Sequence, residues 1–230
     1  MEYLCRVLQT ILLAILCVSV MSVRAGTSSC LEVPVRVHSV QPVAMEDLCQ
    51  GAASALRFLE GYGVKPTRII DIDIVDRVSE HYGNKALGSY DLENSRILLM
   101  SMQDMTEKLA VSTLYGQAFD RIHYRSVVAH EVAHALFHQN SPNARLTNAA
   151  QEYLAYVTQL AVLPADRRQQ IVEHAGVAGW ESGDSISEIY MVMAPEQFAV
   201  KSYLHFTGMN DPSAFVKVLL NIKWFYVYVP

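Results

Sequence analysis

The residues best suited to chemistry in this 230-residue chain lie in one run, RSVVAHEVAHALFHQN, over positions 125–140. It contains His130-Glu131-Val132-Ala133-His134, an H-E-x-x-H pattern. On a helix, side chains four residues apart stand one above the other, about 6 Å along the axis. Both imidazoles can therefore reach one Zn²⁺ through bonds of ~2.1 Å. Glu131 lies about 60° from His134 around the helix, which places a carboxylate beside the metal without forcing it into the coordination shell. Val127, Val128, Ala129, Val132, Ala133, Ala135 and Leu136 would bury the helix around such a site.

Two residues compete to be the third ligand. His138 continues the ladder but sits about 12 Å along the axis from His130, too far to share an ion on a straight helix. It reads as a neighbour of the site or a surface residue. Glu152 is the better candidate. It is the only charged residue between Arg145 and Asp166, within a predicted helix NAAQEYLAYVTQLAVL (148–163) that is otherwise apolar or neutral. A carboxylate there is costly to bury unless it pairs or binds metal. The alternative is a Glu on a narrow exposed stripe with Asn148, Ala155 and Gln159. The loop SPNARLTN (141–148) lets this helix turn back antiparallel to the first and bring Glu152 beside the histidines.

The elements that must position these groups read as an α+β domain. LEVPVRVHSV (31–40) alternates as a strand, MEDLCQGAASALRFLE (45–60) has helical spacing, and Gly61 and Gly63 stop it. RIIDIDIV (68–75) is a second strand, and SRILLMS (95–101) a third that follows a turn from Tyr90 as a hairpin. From residue 104 the chain reads as helical, punctuated by Pro164, Pro195 and Pro212. A small sheet followed by a helical block implies α+β architecture, and the lack of repeats or linkers implies one domain over 26–230.

Composition narrows the functional classes. The chain is 51% hydrophobic and 18% charged, with a net charge of −5 and a mean hydropathy of +0.16. That is too apolar for disorder and too charged for many membrane spans. Part of the apolar excess is the run Ile11 to Val23, too short to cross ~30 Å of hydrocarbon comfortably. With Arg6 before it and Val23-Arg24-Ala25 after it, residues 1–25 read as a secretory signal, with an uncleaved anchor as the rival reading. The acidic remainder, without basic runs, argues against nucleic acid and against anionic membrane surfaces, with no stable membrane insertion after cleavage. Cys5 and Cys17 would leave with the signal. Cys30 and Cys49 can then form one disulfide, as suits an exported chain; two buried thiols are the alternative. Together with the absence of an Asn-x-Ser/Thr sequon, this points to a periplasmic or secreted protein of the bacterial envelope.

An H-E-x-x-H helix followed, after 17 intervening residues, by a Glu-bearing helix resembles the gluzincin branch of zinc metallopeptidases over roughly residues 68–163. The resemblance implies a zincin-like fold, with His130, His134 and Glu152 holding Zn²⁺ and Glu131 acting as general base toward a peptide or protein substrate. It also implies a downstream donor to the developing oxyanion, for which Tyr203 and His205 are the first candidates and Tyr190 and His174 the next. The strand over 96–100 becomes a candidate edge for pairing with extended substrate, with an interior strand as the alternative. The chain departs from the branch in one respect: the Asn-Glu-x-x-Asp form is missing, with Ala155 in the Asp position. The extended H-E-x-x-H-x-x-G form fails because Phe137 stands where Gly belongs.

Other features carry less. Asp71 and Asp73 alternate with isoleucines and read as the solvated face of a half-buried strand. Gly61-Tyr62-Gly63 follows a helix and has Pro66 where a dinucleotide fingerprint needs its third Gly. The aromatic IKWFYVYVP (222–230) reads as a strand or tail on the core, or as a partner surface. Two rival functions stand beside a peptidase. One is a zinc-bearing binding module that turns nothing over; the other is a metal-free protein with a chance motif, whose sign would be Glu152 far from the histidines.

Overall fold

A computed structural model describes residues 26–79, 86–142, 148–181 and 186–221. The apolar N-terminal segment and the aromatic C-terminal one lie outside the described residues. Strands β1 (Gly26–Ser29), β2 (Val35–Ser39), β3 (Ile70–Val75), β4 (Gly88–Asp91) and β5 (Arg96–Met100) form one sheet in the order β1-β2-β3-β5-β4. The three inner strands run parallel, and β1 and β4 close the two edges antiparallel. Helix α1 (Met45–Glu60) makes the crossover from β2 to β3.

Period-two patterning decides which face of the sheet is buried. Val35, Val37, Ile70, Ile72, Ile97 and Leu99 are at most 2% exposed and share one core with Leu48, Ala52 and Leu59 of α1. The opposite face carries the charges. Asp71 takes both Arg36 and His38, and Asp73 takes Arg96 at 2.6 Å, so the two strand aspartates belong to a half-buried ion ladder. The predicted first strand is shorter than its alternation suggested, because Leu31 is fully exposed and pairing starts at Val35.

After β5 come α2 (Met102–Glu107) and a two-stranded hairpin, β6 (Thr113–Leu114) and β7 (Gln117–Ala118). This hairpin interrupts the stretch predicted to be helical throughout. The long helix α3 (Arg121–Asn140) then begins where the Asp120 side chain accepts from the backbone N–H groups of Ile122 and His123. Its face Val128, Val132, Ala135 and Leu136 fills the core beneath the sheet. Asp47, 1% exposed on α1, receives hydrogen bonds from Arg121 and Arg125 and ties the start of α3 to α1.

Helix α4 (Asn148–Ala161) packs on α3, and α5 (Ala165–Ala175), α6 (Glu188–Met193), α7 (Pro195–Gly208) and α8 (Pro212–Asn221) complete the helical block. Cys30 and Cys49 are joined by a disulfide, linking the β1–β2 connection to α1. Among the described residues no helix is long and apolar enough to cross a membrane. The architecture is α+β, as the sequence implied.

Candidate metal centre

His130 and His134 stand on consecutive turns of α3, and Glu152 approaches them from the first turns of α4. Glu152 Oε2 lies 3.3 Å from His130 Nε2, Glu152 Oε1 lies 3.4 Å from His134 Nε2, and the two Nε2 atoms are 3.1 Å apart. The sign of a chance motif, Glu152 remote from the histidines, is absent. Two imidazole nitrogens and a carboxylate facing one another this closely form a donor set that could hold a metal ion. Burial works against ionisation of Glu152, but His134 and His130 outweigh it and hold the carboxyl well below the usual range. The helix around the trio is apolar, as predicted, which keeps the histidine side chains only 12% and 9% exposed.

Glu131 is 5% exposed, and its Oε2 has no hydrogen-bond partner. Burial pushes its carboxyl up to about 7; His134 lowers it only in part, and Glu152 adds to the rise. An orphaned carboxyl oxygen beside a donor trio is costly for stability and suits a group that handles protons.

These residues open onto a cavity of about 600 Å³. One wall is β4, through Gly88, Ser89 and Tyr90; the other carries Tyr156, Met191 and Pro195. The edge strand is therefore β4 and not β5. Residues 96–100 pair with β3 on one side and β4 on the other, so they have no free edge. His138 lines the cavity without joining the trio: its Nε2 lies 2.8 Å from Gln151 Oε1, and its ring stacks on Tyr90.

The structure brings neither Tyr203 nor His205 to this cavity. Only the first turn of α7, with Pro195 and Glu196, reaches it. Two turns later the helix has carried Tyr203 under the Arg168 guanidinium, and His205 Nδ1 shares a 2.7 Å hydrogen bond with the Tyr153 hydroxyl. Tyr190 packs edge-on against Trp180, and His174 lies beneath Gly116. The residues that sequence reasoning missed are Tyr156 and Gln159. Tyr156 sits edge-on to His130 with ring centroids 4.7 Å apart, and Gln159 Oε1 lies 3.1 Å from His130 Nδ1. Their signal was present, since positions 152, 156 and 159 fall on one face of α4.

Neither a curated protein nor a solved structure matches this chain. A family profile does match, over residues 35–228, which take in β2 and every residue of the trio, and the chain belongs to that family, DUF6639, a family of unknown function.

Proposed function

We propose that this protein is an exported, zinc-dependent peptidase with a zincin-like catalytic domain, acting on a peptide or protein segment laid along β4. The observation that carries the reading is the spacing of the trio. A tetrahedral ion with bonds of ~2.1 Å separates its ligands by about 3.4 Å. The two Nε2 atoms stand 3.1 Å apart, each has a different Glu152 oxygen 3.3 or 3.4 Å away, and one donor atom from each of the three residues lies within 4.8 Å of the others. Two imidazoles and one carboxylate also match the ligand chemistry of catalytic zinc sites with an open fourth position. The disulfide supports export.

Zinc held by His130, His134 and Glu152 supplies Lewis acidity, which polarises a carbonyl and acidifies water. Glu131 takes the proton of the attacking water at its carboxylate and passes it to the leaving amine; burial, which raises its proton affinity, suits it to both transfers. The free edge of β4 pairs with extended substrate backbone and fixes the carbonyl over the trio. Tyr156 is the hydroxyl donor for the oxyanion. Of the other tyrosines lining the cavity, Tyr115 donates its hydroxyl to Gln159, and Tyr90 is stacked on His138 while its hydroxyl accepts from Arg68, whereas Tyr156 is the one that packs directly on the ligand His130.

The test is zinc per chain by elemental analysis after mild chelation and dialysis, followed by a peptide-library digest. We expect close to one zinc per chain and hydrolysis that Glu131→Gln abolishes while zinc stays bound. Zinc without turnover by the native protein would favour the non-catalytic binding module. No zinc after zinc is supplied would sink both.

A further inference from the structure

His130 divides its two ring nitrogens between different partners. Nε2 faces His134 and Glu152, whereas Nδ1 lies 3.1 Å from Gln159 Oε1. The same oxygen accepts the Tyr115 hydroxyl at 3.0 Å. Both partners are sequestered, Tyr115 being 3% and Gln159 4% exposed.

Tyr115 reaches this position from a strained turn. Its φ is 53°, in the left-handed region that disfavours a bulky side chain, and Gly116 follows at φ 72° to close the β6–β7 hairpin. The turn is held from both sides. Glu196 accepts the Tyr115 backbone N–H at 2.9 Å, and His174 packs so closely on Gly116 that a Cβ there would stand 2.6 Å from its Nε2. Strain of this kind persists where the surrounding structure enforces it, and it concentrates at functional sites.

We infer that Gln159 and Tyr115 are positioning residues for His130: the amide oxygen accepts the Nδ1 proton, and the tyrosine hydroxyl fixes that amide in place. This rests on the zinc-site reading above. An amide oxygen has two lone pairs and can accept both hydrogen bonds at once. With the amide reversed, its N–H would donate to Nδ1 and leave the ring proton on Nε2. That proton would then occupy the 3.1 Å gap to His134 and block ligation. With the amide reversed the Tyr115 hydroxyl could only accept, and its own proton, on a side chain 3% exposed, would lose the oxygen it donates to. That cost selects the orientation in which the Nε2 lone pair faces the trio.

The test takes the purified protein, strips it with a chelator and titrates it with Zn²⁺ against a fluorescent competitor. Gln159→Leu should weaken Zn²⁺ binding by about 10–100-fold and Tyr115→Phe by about 3–10-fold. Gln159→Glu, whose carboxylate accepts the same two hydrogen bonds, should stay within about threefold of the native protein. In the metal-free protein, ¹⁵N NMR of the imidazoles should place the His130 proton on Nδ1, and in Gln159→Leu should find it shared between the two nitrogens. If Gln159→Leu does not fold, Tyr115→Phe, which removes a single oxygen, carries both readouts. Native-like Zn²⁺ affinity and an unmoved tautomer in the variants that fold would overturn the positioning role and leave the zinc site standing. A native protein that binds no Zn²⁺ would overturn both.

Discussion

The backbone of Gly88 lies flush against the carboxyl group of Glu131: a Cβ added at Gly88 would stand 2.7 Å from that side chain's Cγ, Cδ and Oε1. The edge strand and the buried acid are thus in direct contact, so the position of one constrains the other. Gly88→Ala forces a shift, and the three nearest atoms to the new methyl all belong to Glu131. We expect a loss of about 1–3 kcal/mol in stability from overpacking. Peptide hydrolysis should fall by about 10²-fold from the displaced carboxylate. Zinc content should not change. Urea unfolding, elemental analysis and a peptide assay on the variant decide it; full activity in Gly88→Ala would show that Glu131 tolerates displacement and is not the base.

Asp47 predicts how the fold responds to acid. Burial alone would raise its pKa, but hydrogen bonds from Arg121 and Arg125, together with their charges, hold it below its ordinary value of 3.8. With the folded-state pKa the lower one, the unfolded chain takes up the proton first. The stabilisation is therefore complete at neutral pH and is lost as pH falls from 3.8 through the folded value. Asp47→Asn should cost about 1–3 kcal/mol at neutral pH. That is less than for a fully buried pair, because Arg121 is 56% and Arg125 31% exposed and solvent screens both. The deficit should be smaller in acid, below pH 3.8, than at neutral pH, because the native protein loses the same interaction as the pH falls toward the folded value. Urea unfolding of both proteins at the two pH values checks this, and an equal deficit at each would refute it.

The disulfide gives a prediction that leaves the site alone. Cys30 and Cys49 are separated by 19 positions, and the cross-link restrains the unfolded chain over that loop. Replacing both with Ala should cost about 3 kcal/mol, or about 6–12 °C in melting temperature. Zinc stoichiometry should match the native protein, since the trio stands on α3 and α4. Differential scanning calorimetry and elemental analysis on the double variant test the two halves separately.

The parts of this molecule that were legible in its sequence are those written in local patterns. Helical spacing located α1 and α3, alternation located β3, and the isolated charge of Glu152 in an apolar helix pointed to a ligand that the fold does bring to the histidines. Sheet order was not legible. The two strands of the β4–β5 hairpin flank one turn, and which one becomes the edge depends on β5 finding β3, a pairing made across 25 positions. The choice of Tyr203 and His205 failed for a similar reason. Their helix was foreseen, but its first turn faces the cavity and its last turns do not. Tyr115 was out of reach altogether. A tyrosine at positive φ contradicts its own backbone preference, and only the distant partners Gln159 and Glu196 account for it.

The ligand set itself can be separated from its surroundings by comparing His138 with Glu152. His138 is the third histidine of the helical ladder, and like Glu152 it lines the cavity. Its Nε2 is committed to Gln151 at 2.8 Å, and its ring lies stacked on Tyr90 with centroids 4.9 Å apart, one turn beyond His134. Burial lowers its pKa, which keeps the ring neutral and able to hold this stack at the end of the cleft. His138→Ala should therefore leave zinc affinity within about threefold of the native value, the size expected for a residue outside the coordination sphere. Glu152→Ala removes the only carboxylate of the trio, leaves His130 and His134 as a two-nitrogen site, and should weaken binding by at least ~10²-fold. On the proposed peptidase reading, His138→Ala should still slow peptide hydrolysis, because Tyr90 on β4 loses the ring it stacks on. A competition titration with Zn²⁺ on the two variants reads the difference directly. If His138→Ala lost zinc and Glu152→Ala kept it, the metal would sit one turn further along α3, and the assignment of Glu131 as base would fall with the ligand set.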